Sequence, residues 1–116
     1  MPQYAVLIYE KVPPEDLPAD VQAAHLALPG EMAAQGGRVV AGLAWHDSST
    51  ATTIRGELLT DGPFIETKEE TAGLFIIEAR DLDHALSLAK MTPIVDGGVE
   101  VRPLIDFQVL DAPEGG

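Results

Sequence analysis

Three histidines, nineteen carboxylates and seven basic residues are the groups with which this 116-residue chain can move a proton or hold a charge. His25 is the first that matters. It falls on the apolar stripe Val21, Ala24, His25, Leu28 and Met32, whose spacing is that of one helical face. An imidazole aimed from that stripe into a pocket can take or give a proton near neutral pH. Read structurally, the same residue is a core histidine satisfied by one hydrogen bond, for instance to the carbonyl that Pro29 leaves free. A second group gathers in one short loop, where Asp61, Glu66, Lys68 and Glu69 surround Phe64. There Asp61 would act as a base or orient His25, and Lys68 would hold an anionic substrate group, with Phe64 and Glu66 beside it. The structural account of that loop is a turn at Asp61-Gly62-Pro63, an anchoring Phe64 and a capping box at Thr67-x-x-Glu70.

Other residues offer less. His46 and Asp47 are adjacent, so on a strand they point to opposite faces, and no second histidine follows at i+2 or i+4; no metal site is expected. His84 is expected on the outward face of a helix, in solvent. Arg55 and Arg102 are expected to form surface ion pairs. Ser48 and Ser49 lack a G-x-S-x-G elbow, and the glycines make no phosphate-cradling loop. The absence of cysteine excludes disulfides, thiolate metal sites and cysteine nucleophiles. Seven basic residues less nineteen acidic ones give a net charge of −12, which argues against nucleic acid and anionic membranes as partners. No apolar run approaches the ~20 residues of a membrane span, and the N-terminus lacks a secretory pattern. A cytoplasmic protein working without a cofactor is the expectation.

These groups must be held by a single domain over residues 1–110, with a tail at 111–116. Gln3 to Tyr9 reads as a strand. Asp20 is a candidate N-cap for a helix that Pro29 should kink near residue 25, or divide, and that Gly36-Gly37 should end. Arg38 to Trp45 is a second strand. Thr50–Arg55 and Glu57–Thr60 form a hairpin turning at Gly56. Ala72 to Ala79 is a buried strand. Asp81 caps a helix from Leu82 to about Met91, with Leu82, Ala85, Leu86 and Ala89 inward. Val99 to Pro103 is a last strand. The order β-α-β-(hairpin)-β-α-β predicts a ferredoxin-like α+β fold with an antiparallel sheet.

Two helices cover one face of such a sheet, and the other should then be polar in a monomer. Here both faces are apolar: Tyr4, Val6 and Ile8 alternate with Ala5, Leu7 and Tyr9, and Leu74 and Ile76 with Phe75, Ile77 and Ala79. Exposing several large apolar side chains forfeits roughly 1.5–3 kcal/mol each. A homodimer with sheets face to face is expected; the competing arrangement folds the hairpin and C-terminal segment over that face within one chain.

The segment Asp61-Gly62-Pro63-Phe64-Ile65-Glu66-Thr67-Lys68-Glu69 resembles the signature of the YCII-related, or DGPF-domain, family. Tyr4–Tyr9, Ser49–Arg55, Gly73–Arg80 and Val99–Pro103 are similar as well, so the likeness runs over roughly residues 3–107. The resemblance implies a dimeric α+β barrel of ferredoxin-like chains. It implies two kinds of function. One is cofactor-independent acid–base chemistry (isomerase, lyase or dehydrohalogenase type) on a small aromatic or anionic molecule, one activity of the wider group being on a chlorinated hydroxyquinone. The other is a non-catalytic ligand-sensing or partner-binding role linked to sigma-factor regulation. In the smaller branch of the family a helix histidine pairs with an aspartate before a proline near the C-terminal end. His25 resembles that histidine, but Thr92, in Thr92-Pro93, stands at the aspartate's place and cannot ionise. The Trp45-His46-Asp47 stretch is a further departure.

Overall fold

The computed structural model of the chain describes residues 1–64 and 71–110. The β-branched opening run forms β1 (Gln3–Glu10), followed by α1 (Ala19–Ala34) and β2 (Arg38–Ala44). A short hairpin of β3 (Thr52–Arg55) and β4 (Leu58–Asp61) comes next, then β5 (Thr71–Glu78), α2 (Leu82–Ala89) and β6 (Gly97–Pro103). Four strands make one sheet in the order β2-β5-β1-β6, antiparallel at every pairing. Two split β-α-β units therefore interleave, which is the ferredoxin-like arrangement. The hairpin β3–β4 forms a sheet of its own.

Both helices lie on one face of the large sheet. Leu28 and Met32 of α1 and Ala85, Leu88 and Ala89 of α2 join Tyr4, Val6 and Ile77 in one buried cluster. The predicted α1 stripe holds, with Leu28 and Met32 buried and Val21, Ala24 and His25 half-buried. The helix begins two residues earlier than expected, with Pro18 rather than Asp20 at the cap. Proline's fixed φ suits a helix entry, and Asp20 instead places its charge in the first turn, where the helix dipole favours it. The helix also runs on through Pro29 without a break. Pro29 is exposed, and only one backbone bond, from residue 29 to the carbonyl of His25, is lost to it. The end is as predicted: Gly36, at φ +81°, donates to Ala33 and Gly37 to Met32, closing a Schellman turn.

The inner face of α2 differs from expectation. His84, Ala85, Leu88 and Ala89 are buried, whereas Leu82 and Leu86 are exposed. His84 therefore points inward, not into solvent. Its place lies between two backbone groups that need partners, and an imidazole satisfies both where a leucine would satisfy neither.

Pairing register defines the side of the sheet away from the helices, where Ala5 and Ile76 are buried and Leu7 and Leu74 half-buried within the single chain. Ala41, Ile76, Ala5 and Arg102 form one row across it, and Leu43, Leu74, Leu7 and Glu100 the next. A block of six apolar residues is thus bordered by charge at the β6 edge and by Arg38, Glu78 and Gln3 at one end. Arg38 pairs with Glu78 at 3.6 Å. Arg102 pairs with Glu100 as expected of it, whereas Arg55 lies over the Phe64 ring, 3.8 Å from its centroid. No helix among the described residues is long and apolar enough to cross a membrane.

Candidate functional site

His25 sits midway along α1, half-buried, one turn before the buried Leu28. Among the described residues its side chain makes no hydrogen bond, neither to the carbonyl freed by Pro29 nor elsewhere. His84 is its opposite. The Arg80 N–H donates to His84 Nδ1 at 3.0 Å, so the ring proton sits on Nε2, which donates to the Gln35 carbonyl at 2.8 Å. That carbonyl belongs to the last turn of α1, where helix carbonyls lack partners. Asp81 accepts from the His84 N–H at 2.8 Å and caps α2, as predicted. Of the two histidines on the helices, His84 bonds through both ring nitrogens, joining α2 to the end of α1, and His25 bonds through neither among the described residues.

A carboxylate that sequence reasoning passed over stands in the charge field of His25. Glu10, the last residue of β1, accepts from Val12 (3.2 Å), Val95 (2.6 Å) and Asp96 (2.9 Å), all backbone N–H groups. Partial burial alone would push this carboxyl up. The three N–H donors and the nearby charge of His25 outweigh that and hold it below the ordinary glutamate value. The close fit of the loop depends on Gly97, which pairs with Glu10. A Cβ at Gly97 would stand only 1.8 Å from the Tyr9 carbonyl oxygen. Nothing in the strand-like run ending at Glu10 distinguishes it; the only signal was the Gly97-Gly98 pair facing the strand end.

Thr92 opens the loop that closes on Glu10. It is buried, and its Oγ1 has no hydrogen-bond partner among the described residues. Asp61 lies exposed at the end of β4, in the hairpin sheet rather than in the sheet that carries α1. Phe64 is 59% exposed, so it is not the buried anchor expected; the Arg55 guanidinium covers one side of its ring instead. Glu66, Lys68 and Glu69, with the capping box Thr67-x-x-Glu70, lie outside the described residues. His46 and Asp47 are both exposed, and Asp47 serves a local turn, accepting from the Ser49 hydroxyl at 2.6 Å. Among the described residues no three His, Cys, Asp or Glu side chains group as metal ligands would.

The Asp61-Gly62-Pro63 turn has a definite structural task. Gly62 adopts φ +100°, a conformation that favours glycine. Its N–H donates to the Ala51 carbonyl and its own carbonyl accepts from Thr53 Oγ1, both at 2.7 Å. The turn thereby locks the base of the β3–β4 hairpin.

An uncharacterized protein of Rhizobium meliloti (strain 1021) is 37% identical to this chain over 73 residues, which are 57% of the chain and 59% of that protein. The match thus spans less than two thirds of either. The model of the YCII-related domain matches residues 2–108, nearly the whole length. With the interleaved β-α-β topology, that match shows that the chain belongs to the YCII-related domain family.

Proposed function

We propose that this is a cofactor-independent acid–base enzyme of the DGPF branch, acting in the cytoplasm on a small aromatic or anionic molecule. His25 moves the proton. Asp61, Lys68, Phe64 and Glu66 orient the substrate, with Asp61 available as a second base. The reaction class is isomerisation, elimination or dehydrohalogenation. One observation carries this reading: a half-buried imidazole on the inner stripe of α1 with no hydrogen-bond partner among the described residues, in a chain whose other helix histidine is wholly engaged. A histidine kept for packing would be expected to be satisfied as His84 is. The working form is a homodimer, a dimeric α+β barrel, because the apolar outer block of the sheet needs a cover.

The test is proton exchange. The chain is incubated in D2O with a panel of small hydroxyquinones and enolisable carboxylic acids, and deuterium uptake is followed by NMR. Exchange at a carbon position that His25→Ala slows at least 100-fold, with the fold intact, is the expected result, general acid–base groups contributing about 10²–10⁴-fold. Exchange unchanged in the variant removes His25 from the chemistry. Binding without exchange returns the chain to the second role its family suggests, a ligand-sensing or partner-binding accessory protein.

A further inference from the structure

We propose that the groove between α2 and the end of α1 is a binding site for a small zwitterion with an apolar tail, the class of a free α-amino acid with a large apolar side chain. None of its residues belongs to the catalytic set proposed above, so the two readings stand or fall separately.

The groove is a cavity of about 580 Å³, within the roughly 300–1,000 Å³ of small-molecule sites. Much of its lining is one helical stripe, His84 and Leu88 on α2 and Met91 in the turn that follows, spaced i, i+4, i+7. Gln35 bounds it on the α1 side, and Arg80 and Asp83 lie at the start of α2. His84 and Leu88 are buried and make the floor, whereas Arg80 and Asp83 are exposed.

Charge at the polar end is the decisive feature. Arg80 and Asp83 carry opposite charges and line the same cavity, yet they form no ion pair with each other, and neither has one elsewhere among the described residues. The neighbouring Asp81 is occupied by the His84 N–H as the cap of α2. The Arg80 guanidinium lies over the end of α1, where a Cβ at Gly36 would stand 3.3 Å from its Nη1. A cation held there and a carboxylate in the first turn of α2 leave separate places for an anionic and a cationic group of one ligand. The chain's charge of −12 disfavours a purely anionic ligand, and the guanidinium disfavours a purely cationic one. A zwitterion meets both conditions. Its tail has a place too. Leu88 lies about 7.5 Å beyond Asp83 along the axis of α2, and with Met91 it forms the apolar end of the cavity. That distance is comparable to the length of a phenylalanine from its ammonium group to the far edge of its ring.

The full chain, isotope-labelled and followed by amide NMR, is titrated with L-phenylalanine and with two analogues that keep its ring: hydrocinnamate, which lacks the ammonium group, and phenethylamine, which lacks the carboxylate. The expected result is saturable shifts confined to Gln35 and residues 80–91, with both analogues bound at least tenfold more weakly. Arg80→Gln and Asp83→Asn should each raise the Kd at least tenfold, as the loss of one charge-assisted contact requires. Their circular dichroism should be unchanged, because both side chains are exposed. No saturable shift at about 10 mM amino acid, enough to fill most of a site with a Kd of about 1 mM, overturns the proposal. Saturable shifts centred elsewhere overturn it too, as does a smaller loss for either analogue or either variant. The analogue comparison uses the native chain, and so decides the matter even where a variant fails to fold.

Discussion

His84 is buried by bonding and not by hydropathy. Its ring accepts from the Arg80 N–H and donates to the Gln35 carbonyl, so removing it leaves two backbone groups without partners. His84→Ala is expected to cost about 1–3 kcal/mol, measured by urea unfolding; a loss under about 0.5 kcal/mol would mean that water replaces both bonds. At this scale the sequence was only half readable. Apolar spacing located His25 on the inner stripe of α1 correctly, because its neighbours Leu28 and Met32 leave no doubt about which face is buried. The same reasoning put His84 outside, because leucines at 82 and 86 outrank a histidine on any transfer scale. What reversed the order was a pair of unpartnered backbone groups on two elements, one at the end of α1, and no local pattern reveals those. Phe64 fails for a related reason: a large aromatic side chain predicts contact, and the contact it finds is the Arg55 guanidinium at the end of β3.

Elements were more legible than side chains. Gly36-Gly37, Gly56 and Asp61-Gly62-Pro63 marked their turns because each requires a backbone conformation that favours glycine, as the positive φ angles show. The interior Pro29 was expected to damage α1 more than it does, since one missing bond on an exposed face leaves the flanking turns intact. The Glu10 loop was invisible, being held by a carboxylate bonded to backbone far along the chain. It has a pH signature. Glu10 is held below its ordinary value of 4.5 in the folded chain. Its stabilising effect is therefore complete above the unfolded-state value and disappears as pH falls through the lower, folded one. Glu10→Gln should lower the urea midpoint at about pH 7, and the deficit should shrink as pH falls below the unfolded-state value and through the lower, folded one. A deficit that is constant across this range would contradict that role for the carboxylate.

At the scale of the molecule, a four-stranded sheet with both helices on one side leaves an apolar block on the other, and the alternation in β1 and β5 announced it from the sequence. The radius of gyration, 16.0 Å, exceeds the roughly 13 Å of a compact chain this long, in keeping with a hairpin that forms a sheet of its own and a C-terminal segment beyond β6. Ile105, Val109 and Leu110 are exposed as well, beyond the end of β6. In the same C-terminal segment Leu104 and Phe107 are half-buried, and Thr53 of the hairpin is buried, so these two segments remain the rival cover for the sheet to the dimer proposed above. The homodimer proposed above would pack the side of the sheet away from the helices against its copy. Sedimentation velocity of the native chain at micromolar concentration tests this most directly. A particle of about twice the 12.3 kDa chain mass is predicted, and a 12.3 kDa monomer that persists as concentration rises would contradict it.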